Sequence, residues 1–75
     1  MHNLTEIESQ IRIRLSEAIR QSGLTNTAIA KRANIHVSMI TDYKKNKLPS
    51  LANFYVLCKV LDVSADEILG LKDQP

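Results

Sequence analysis

The chain has 75 residues, 44% of them hydrophobic, with a formal net charge of +2 and one cysteine. A core drawn from so few residues makes one small domain near the lower limit of unaided folding, too small to surround a large substrate pocket. The lone thiol, Cys58, excludes a disulfide framework and a zinc cluster, and no apolar run approaches the roughly 20 residues that span a bilayer. With no charged-then-apolar leader at Met1, the expectation is a cytoplasmic protein without a membrane partner.

The first helix is expected to open on Thr5-Glu6-Ile7-Glu8, where threonine oxygen and glutamate carboxylate satisfy orphan backbone amides reciprocally, and to run to about Gln21. Ile7, Ile11, Leu15, Ala18 and Ile19 recur every three or four positions and form one buried stripe. Ile13 falls off that stripe, and Gly23 ends the helix. Thr25 is placed to cap a short second helix with Ile29, Ala30 and Ala33 on its inner face, where the two alanines permit close approach of another helix axis. Asn34 tolerates a left-handed backbone, so the chain can reverse sharply before Ile35 returns to the core.

A third helix spans about Val37 to Lys45. Ile40 and Tyr43 face inward, which leaves Val37, Ser38, Thr41 and Asp42 on the outer side, and Asn46 is suited to a left-handed close. Pro49-Ser50 announces a fourth helix with Ser50 as cap and Leu51, Phe54, Leu57, Cys58 and Leu61 buried. Ser64-Ala65-Asp66-Glu67 is a second capping pattern and starts a fifth helix, which carries Ile68 and Leu69 and stops at Gly70. Asp66 and Glu67 are thus helix-start residues, not a catalytic carboxylate pair. Nothing alternates with period two for long enough to make a strand, so residues 1–75 are read as a single all-α domain with a short tail at 71–75.

Charge is localised along this series. Between Lys31 and Ser50, the basic residues Lys31, Arg32, Lys44, Lys45 and Lys47 face one acid, Asp42, whereas from Asp62 onward acids dominate. A basic patch suits a polyanion, and a solvated basic face is the plainer alternative. Two short helices hinged at Ala33-Asn34-Ile35, the second bearing small polar side chains and followed by lysines, describe a DNA-reading element over about 26–45.

From Leu15 to Leu69 the chain resembles the Cro/lambda-repressor type of helix-turn-helix domain, the XRE family. The resemblance rests on Ile29-Ala30, Ala33-Asn34-Ile35, Ile40, Tyr43, Pro49 and the run Leu57-Cys58-Lys59-Val60-Leu61-Asp62-Val63-Ser64. It implies a compact, lambda-repressor-like five-helix bundle whose second and third helices are the reading unit. Three departures stand out. Asn34 replaces the usual turn glycine. The family's ion pair between a helix-one arginine and a glutamate ending the reading helix falls on Ile19 and Lys44, so Lys44 is either freed for a phosphate or covered along its stem by Ile19. The long Gln, Arg or Asn readers give way to Val37, Ser38 and Asp42.

The resemblance implies a sequence-specific regulator of double-stranded DNA, a repressor of phage or bacterial type, with the third helix in the major groove. Val37, Ser38, Thr41 and Asp42 are then the base-reading candidates, and Asn26, Thr27, His36, Lys44, Lys45 and Lys47 the phosphate contacts. His36 is equally well an exposed loop histidine. One small domain reads few base pairs, so a homodimer on a near-palindromic operator is expected, with Val56, Val60, Val63 and Leu71 as its interface or, in part, as core. The alternative is an interaction module of the same fold, of antitoxin or antirepressor type, which Asp42 and the short readers favour. Scattered Ser, His and Asp residues form no catalytic constellation, and no spacing supports a metal, cofactor or small-molecule ligand.

Overall fold

Four of the five helices begin where a short polar side chain accepts a backbone amide. The computed structural model describes residues 3–45 and 47–72, and within them α1 (Leu4–Gln21), α2 (Asn26–Ala33), α3 (Val37–Lys45), α4 (Leu51–Leu61) and α5 (Ala65–Leu69) follow in order, with no strand among the described residues. Thr25, Ser50 and Ser64 cap α2, α4 and α5 by accepting from the amides of Ala28, Asn53 and Glu67 at 3.0, 3.2 and 3.4 Å. The first helix departs from expectation. Asn3 accepts from Glu6 N at 3.2 Å and starts α1 two residues before the expected cap, so Thr5 lies inside the first turn. Asparagine is the stronger cap of the two, and Asn3-x-x-Glu6 repeats the spacing of a capping box.

The ends of α2, α4 and α5 reuse one backbone device. At Asn34 (φ 56°) the chain turns left-handed, Ile35 N donates to the Ala30 carbonyl at 3.0 Å, and Asn34 N donates to that of Lys31 at 3.4 Å. Asp62 (φ 55°) ends α4 the same way, with Val63 N on the Cys58 carbonyl at 3.1 Å. Gly70 (φ 76°) closes α5, with Leu71 N on the Asp66 carbonyl at 2.9 Å. In each case the residue after the left-handed position satisfies a carbonyl that the helix leaves unpaired. Asn46, read as a similar close for α3, lies outside the described residues.

These turns fold the helices around one core of Leu15, Ile19, Ile29, Ala30, Ile40, Tyr43, Phe54, Leu57, Cys58, Leu61 and Ile68. α3 packs on both α1 and α2, α2 on α4, and α1 on α5. Burying each large aliphatic or aromatic member stabilises the fold by about 1.5–3 kcal/mol. Tyr43 is 1% exposed, and its hydroxyl accepts from Asn53 Nδ2 at 3.1 Å, which ties α3 to the start of α4 without an unsatisfied polar group. Cys58 packs as a small apolar residue, and burial pushes its thiol pKa above the ordinary 9.0. Leu51 does not join the core. It is the first residue of α4 and 84% exposed, because its side chain only edges an open apolar cleft shared with Ile11, Leu48, Pro49, Phe54 and Leu69. Ile13, expected off the α1 stripe, is 47% exposed.

Close crossing of α2 on its neighbours requires small side chains at Ala30 and Ala33, each 6% exposed. Ala30→Leu is expected to destabilise by about 1–3 kcal/mol through overpacking, read as a lower urea midpoint at unchanged m-value. An unchanged midpoint would show the crossing to be loose. A second prediction separates backbone strain from steric conflict. A Cβ at Gly70 would sit 2.7 Å from Arg14 Nη2, whereas one at Gly23, also left-handed at φ 74°, meets nothing within 4 Å. Gly23→Ala should cost about 1–2 kcal/mol from conformation alone, and Gly70→Ala more. The excess should vanish when Arg14→Ala is the background; an excess that persists there would assign it to something other than the arginine.

Candidate nucleic-acid interface

The outer face of α3 is defined by what its inner face buries. With Ile40 and Tyr43 at 0% and 1% exposure, Val37, Ser38 and Asp42 lie exposed on the opposite side and Thr41 is half-buried beside them. All four base-reading candidates therefore share one surface, spaced by a helical turn.

A side chain of α1 holds that surface in place. Arg20, in the last turn of α1, donates from Nη2 to the Lys44 carbonyl at 3.2 Å and from Nη1 to Ser16 Oγ at 3.2 Å, while Ser16 Oγ donates to the Ile13 carbonyl at 3.0 Å. The guanidinium thus sits at the negative end of α3, where cations are favourable. Arg14, earlier on α1, acts likewise on α5 by donating from Nε to the Ile68 carbonyl at 2.6 Å. Neither role was read from the sequence. For Arg20 the available signals were the Ser16–Arg20 spacing of four and its place next to Ile19, where the resembled family carries its arginine.

The phosphate-contact candidates are partly assembled. Lys44 Nζ donates to Asn26 Oδ1 at 3.1 Å, which joins the end of α3 to the first residue of α2 across 18 positions. An ammonium has three donors, so this bond leaves the others for an anion. Thr27, Lys45 and Lys47 are exposed, the last just beyond α3 with its N–H on the Asp42 carbonyl at 3.2 Å. His36 occupies the position before α3 and caps it. Its Nδ1 accepts from Ser38 N at 3.2 Å and lies 2.9 Å from Ser38 Oγ. Of the residues considered for a dimer contact, Val56 is half-buried on α4, Val60 and Val63 pack against the core, and Leu71 is 76% exposed.

A two-helix unit joined by a left-handed residue, with α3 braced from α1 and its polar face turned outward, is the architecture of a DNA-reading motif. Comparison with protein families gives a match to the helix-turn-helix model over residues 15–68, more than half the chain. The chain belongs to the helix-turn-helix family. This helix-turn-helix protein is of the XRE type, a family of DNA-binding transcription regulators that is not typically enzymatic. Searches of curated proteins and of solved structures found no match. Among the described residues of the helix-turn-helix protein, no helix is long and apolar enough to cross a membrane, and no group of three or more His, Cys, Asp or Glu could hold a metal ion.

Bracing by Arg20 is directly testable. Arg20→Ala removes the bonds to the Lys44 carbonyl and to Ser16 Oγ; because the guanidinium is exposed it should destabilise by only about 0.5–1.5 kcal/mol, the order of one net hydrogen bond, and should raise amide hydrogen exchange in the last turn of α3 above that in α2. Uniform exchange increases in both helices would point instead to a global loss of packing.

Proposed function

We propose that the protein is a repressor of phage or bacterial type that reads double-stranded DNA as a homodimer, with α3 in the major groove. The observation that carries the proposal is the shared outer face of Val37, Ser38, Thr41 and Asp42, flanked by Asn26–Lys44 on one side and by Lys45 and Lys47 beyond the helix. In that pose the start of α2 offers Asn26, Thr27 and backbone amides to a phosphate, the His36 ring touches another, and Lys44, Lys45 and Lys47 neutralise others. Val37 packs on a thymine methyl, and Ser38, Thr41 and Asp42 face base edges. Two copies joined through Val56, Val60, Val63 and Leu71 would place their reading helices in half-sites roughly 34 Å apart, which calls for a near-palindromic operator.

The second reading is an interaction module of antitoxin or antirepressor type. Asp42 favours it, because an exposed carboxylate on the outer face opposes the phosphate field. The cluster of Lys44, Lys45 and Lys47 weighs more heavily toward DNA.

Selection from a random duplex pool at two salt concentrations decides between the two. Enrichment of a site with internal two-fold symmetry, bound more weakly at the higher salt, is the expected result; failure to enrich any duplex favours the interaction module. On the selected site, Lys45→Ala should weaken binding to all sequences and lower the salt slope by about one. Ser38→Ala should instead shift sequence preference. If both variants bind as the parent does, α3 is not in the groove.

A further inference from the structure

We propose that the outer face of α3 is an acceptor-only reading surface, selective for the exocyclic amino groups of adenine and cytosine. The inference rests on the reading above, in which α3 enters the major groove.

Three short polar side chains occupy that face, and the bonds made at Ser38 and Thr41 constrain where their hydroxyl hydrogens can lie. Ser38 N–H can only donate, and it points at His36 Nδ1 from 3.2 Å. That nitrogen therefore carries a lone pair, and the ring proton sits on Nε2. Ser38 Oγ lies 2.9 Å from the same nitrogen. Its hydrogen must turn toward Nδ1, because two lone pairs at that separation would repel. The hydroxyl hydrogen is thus occupied inside the protein, and only lone pairs face outward. Thr41 repeats the arrangement at longer range, with Oγ1 donating to the Val37 carbonyl at 3.4 Å. Asp42 contributes carboxylate oxygens, which accept. Residues 38, 41 and 42 are three and four apart, so these acceptors are neighbours on one helical surface.

Base edges in the major groove answer such a surface unequally. Adenine N6 and cytosine N4 donate, whereas guanine N7 and O6 and thymine O4 accept. A face that only accepts bonds the first two and sets lone pair against lone pair on the others. Long basic or amide side chains, which take guanine or present both functions, are missing from positions 37, 38, 41 and 42; Lys45, one turn further along the same surface, is a phosphate contact in the pose proposed above. His36 is a positioning residue in this scheme. It holds the orientation of the Ser38 hydroxyl and leaves its own Nε2–H pointing away as a donor.

The test uses the full chain and the duplex enriched from a random pool. Each adenine of the site is replaced in turn by purine and each cytosine by 2-pyrimidinone, which removes only the amino group, and each guanine by 7-deazaguanine, which removes N7. At base pairs where Ser38→Ala or Asp42→Asn changes preference, losing the amino group should weaken binding by about tenfold, within the range of one mismatched pair. Loss of N7 there should have little effect. Sensitivity to 7-deazaguanine at those pairs, with amino removal silent, overturns the acceptor-only surface while leaving the groove reading intact. No enriched duplex, or none whose preference responds to substitutions on α3, overturns both. For His36, His36→Ala should reduce the discrimination between amino-bearing and amino-free bases opposite Ser38. His36→Asn, which still supplies a capping acceptor, should retain it. Equal discrimination in both variants would remove His36 from the scheme.

Discussion

The arrangement of this domain depends on one residue holding a conformation that side chains resist. Asn34 takes φ 56° and ψ 45° between α2 and α3, and this lets the next amide reach back to the Ala30 carbonyl while Ile35 packs against the core. The left-handed region costs an L-residue roughly 1–2 kcal/mol, less for asparagine, whose short polar side chain tolerates it. In return the direction of α3 is set by backbone geometry within two residues of the end of α2. Ile40 and Tyr43 then enter the core at an angle that also turns Ser38 and Asp42 to solvent. A residue that opposed this turn would disturb the core and the reading face together.

Polar ties from α1 complete what the turn begins. Arg20 holds the C-terminus of α3 and Arg14 that of α5, each through a backbone carbonyl. Lys44 and Asn26 link the far end of α3 to the start of α2. These bonds lie at the edges of the apolar core, where helix ends leave carbonyls in need of donors. Together they fix the relative position of the groups that would face a nucleic acid. A core of this size supplies burial energy but little angular definition, which makes the placement of these few bonds significant.

Features governed by neighbours within about four residues were legible from the sequence. The caps at Thr25, Ser50 and Ser64, the reversal at Asn34 and the bounds of α3 all follow from such local chemistry, and the outer face of α3 follows as the complement of Ile40 and Tyr43. Asn3 and Thr5 illustrate the limit even there, because two adequate caps two residues apart compete over a small energy difference. Leu51 fits the periodicity of α4, but its burial depended on whether another element would cover the helix start. The bonds from Arg20 to Lys44 and from Lys44 to Asn26 span 24 and 18 positions. The first ends on a backbone carbonyl, an acceptor that every residue carries and that no sequence pattern marks.

That last property has a consequence for how such a domain can change. Any residue at 44 presents the same carbonyl to Arg20, so the brace from α1 does not depend on the side chain there, which separately ties α3 to Asn26. An ion pair between two side chains would bind both positions to a joint identity, and altering one would require altering the other. Here α1 grips the main chain, so a change at 44 gives up the tie to Asn26 while the brace from Arg20 persists. For that brace, position and content are separately adjustable.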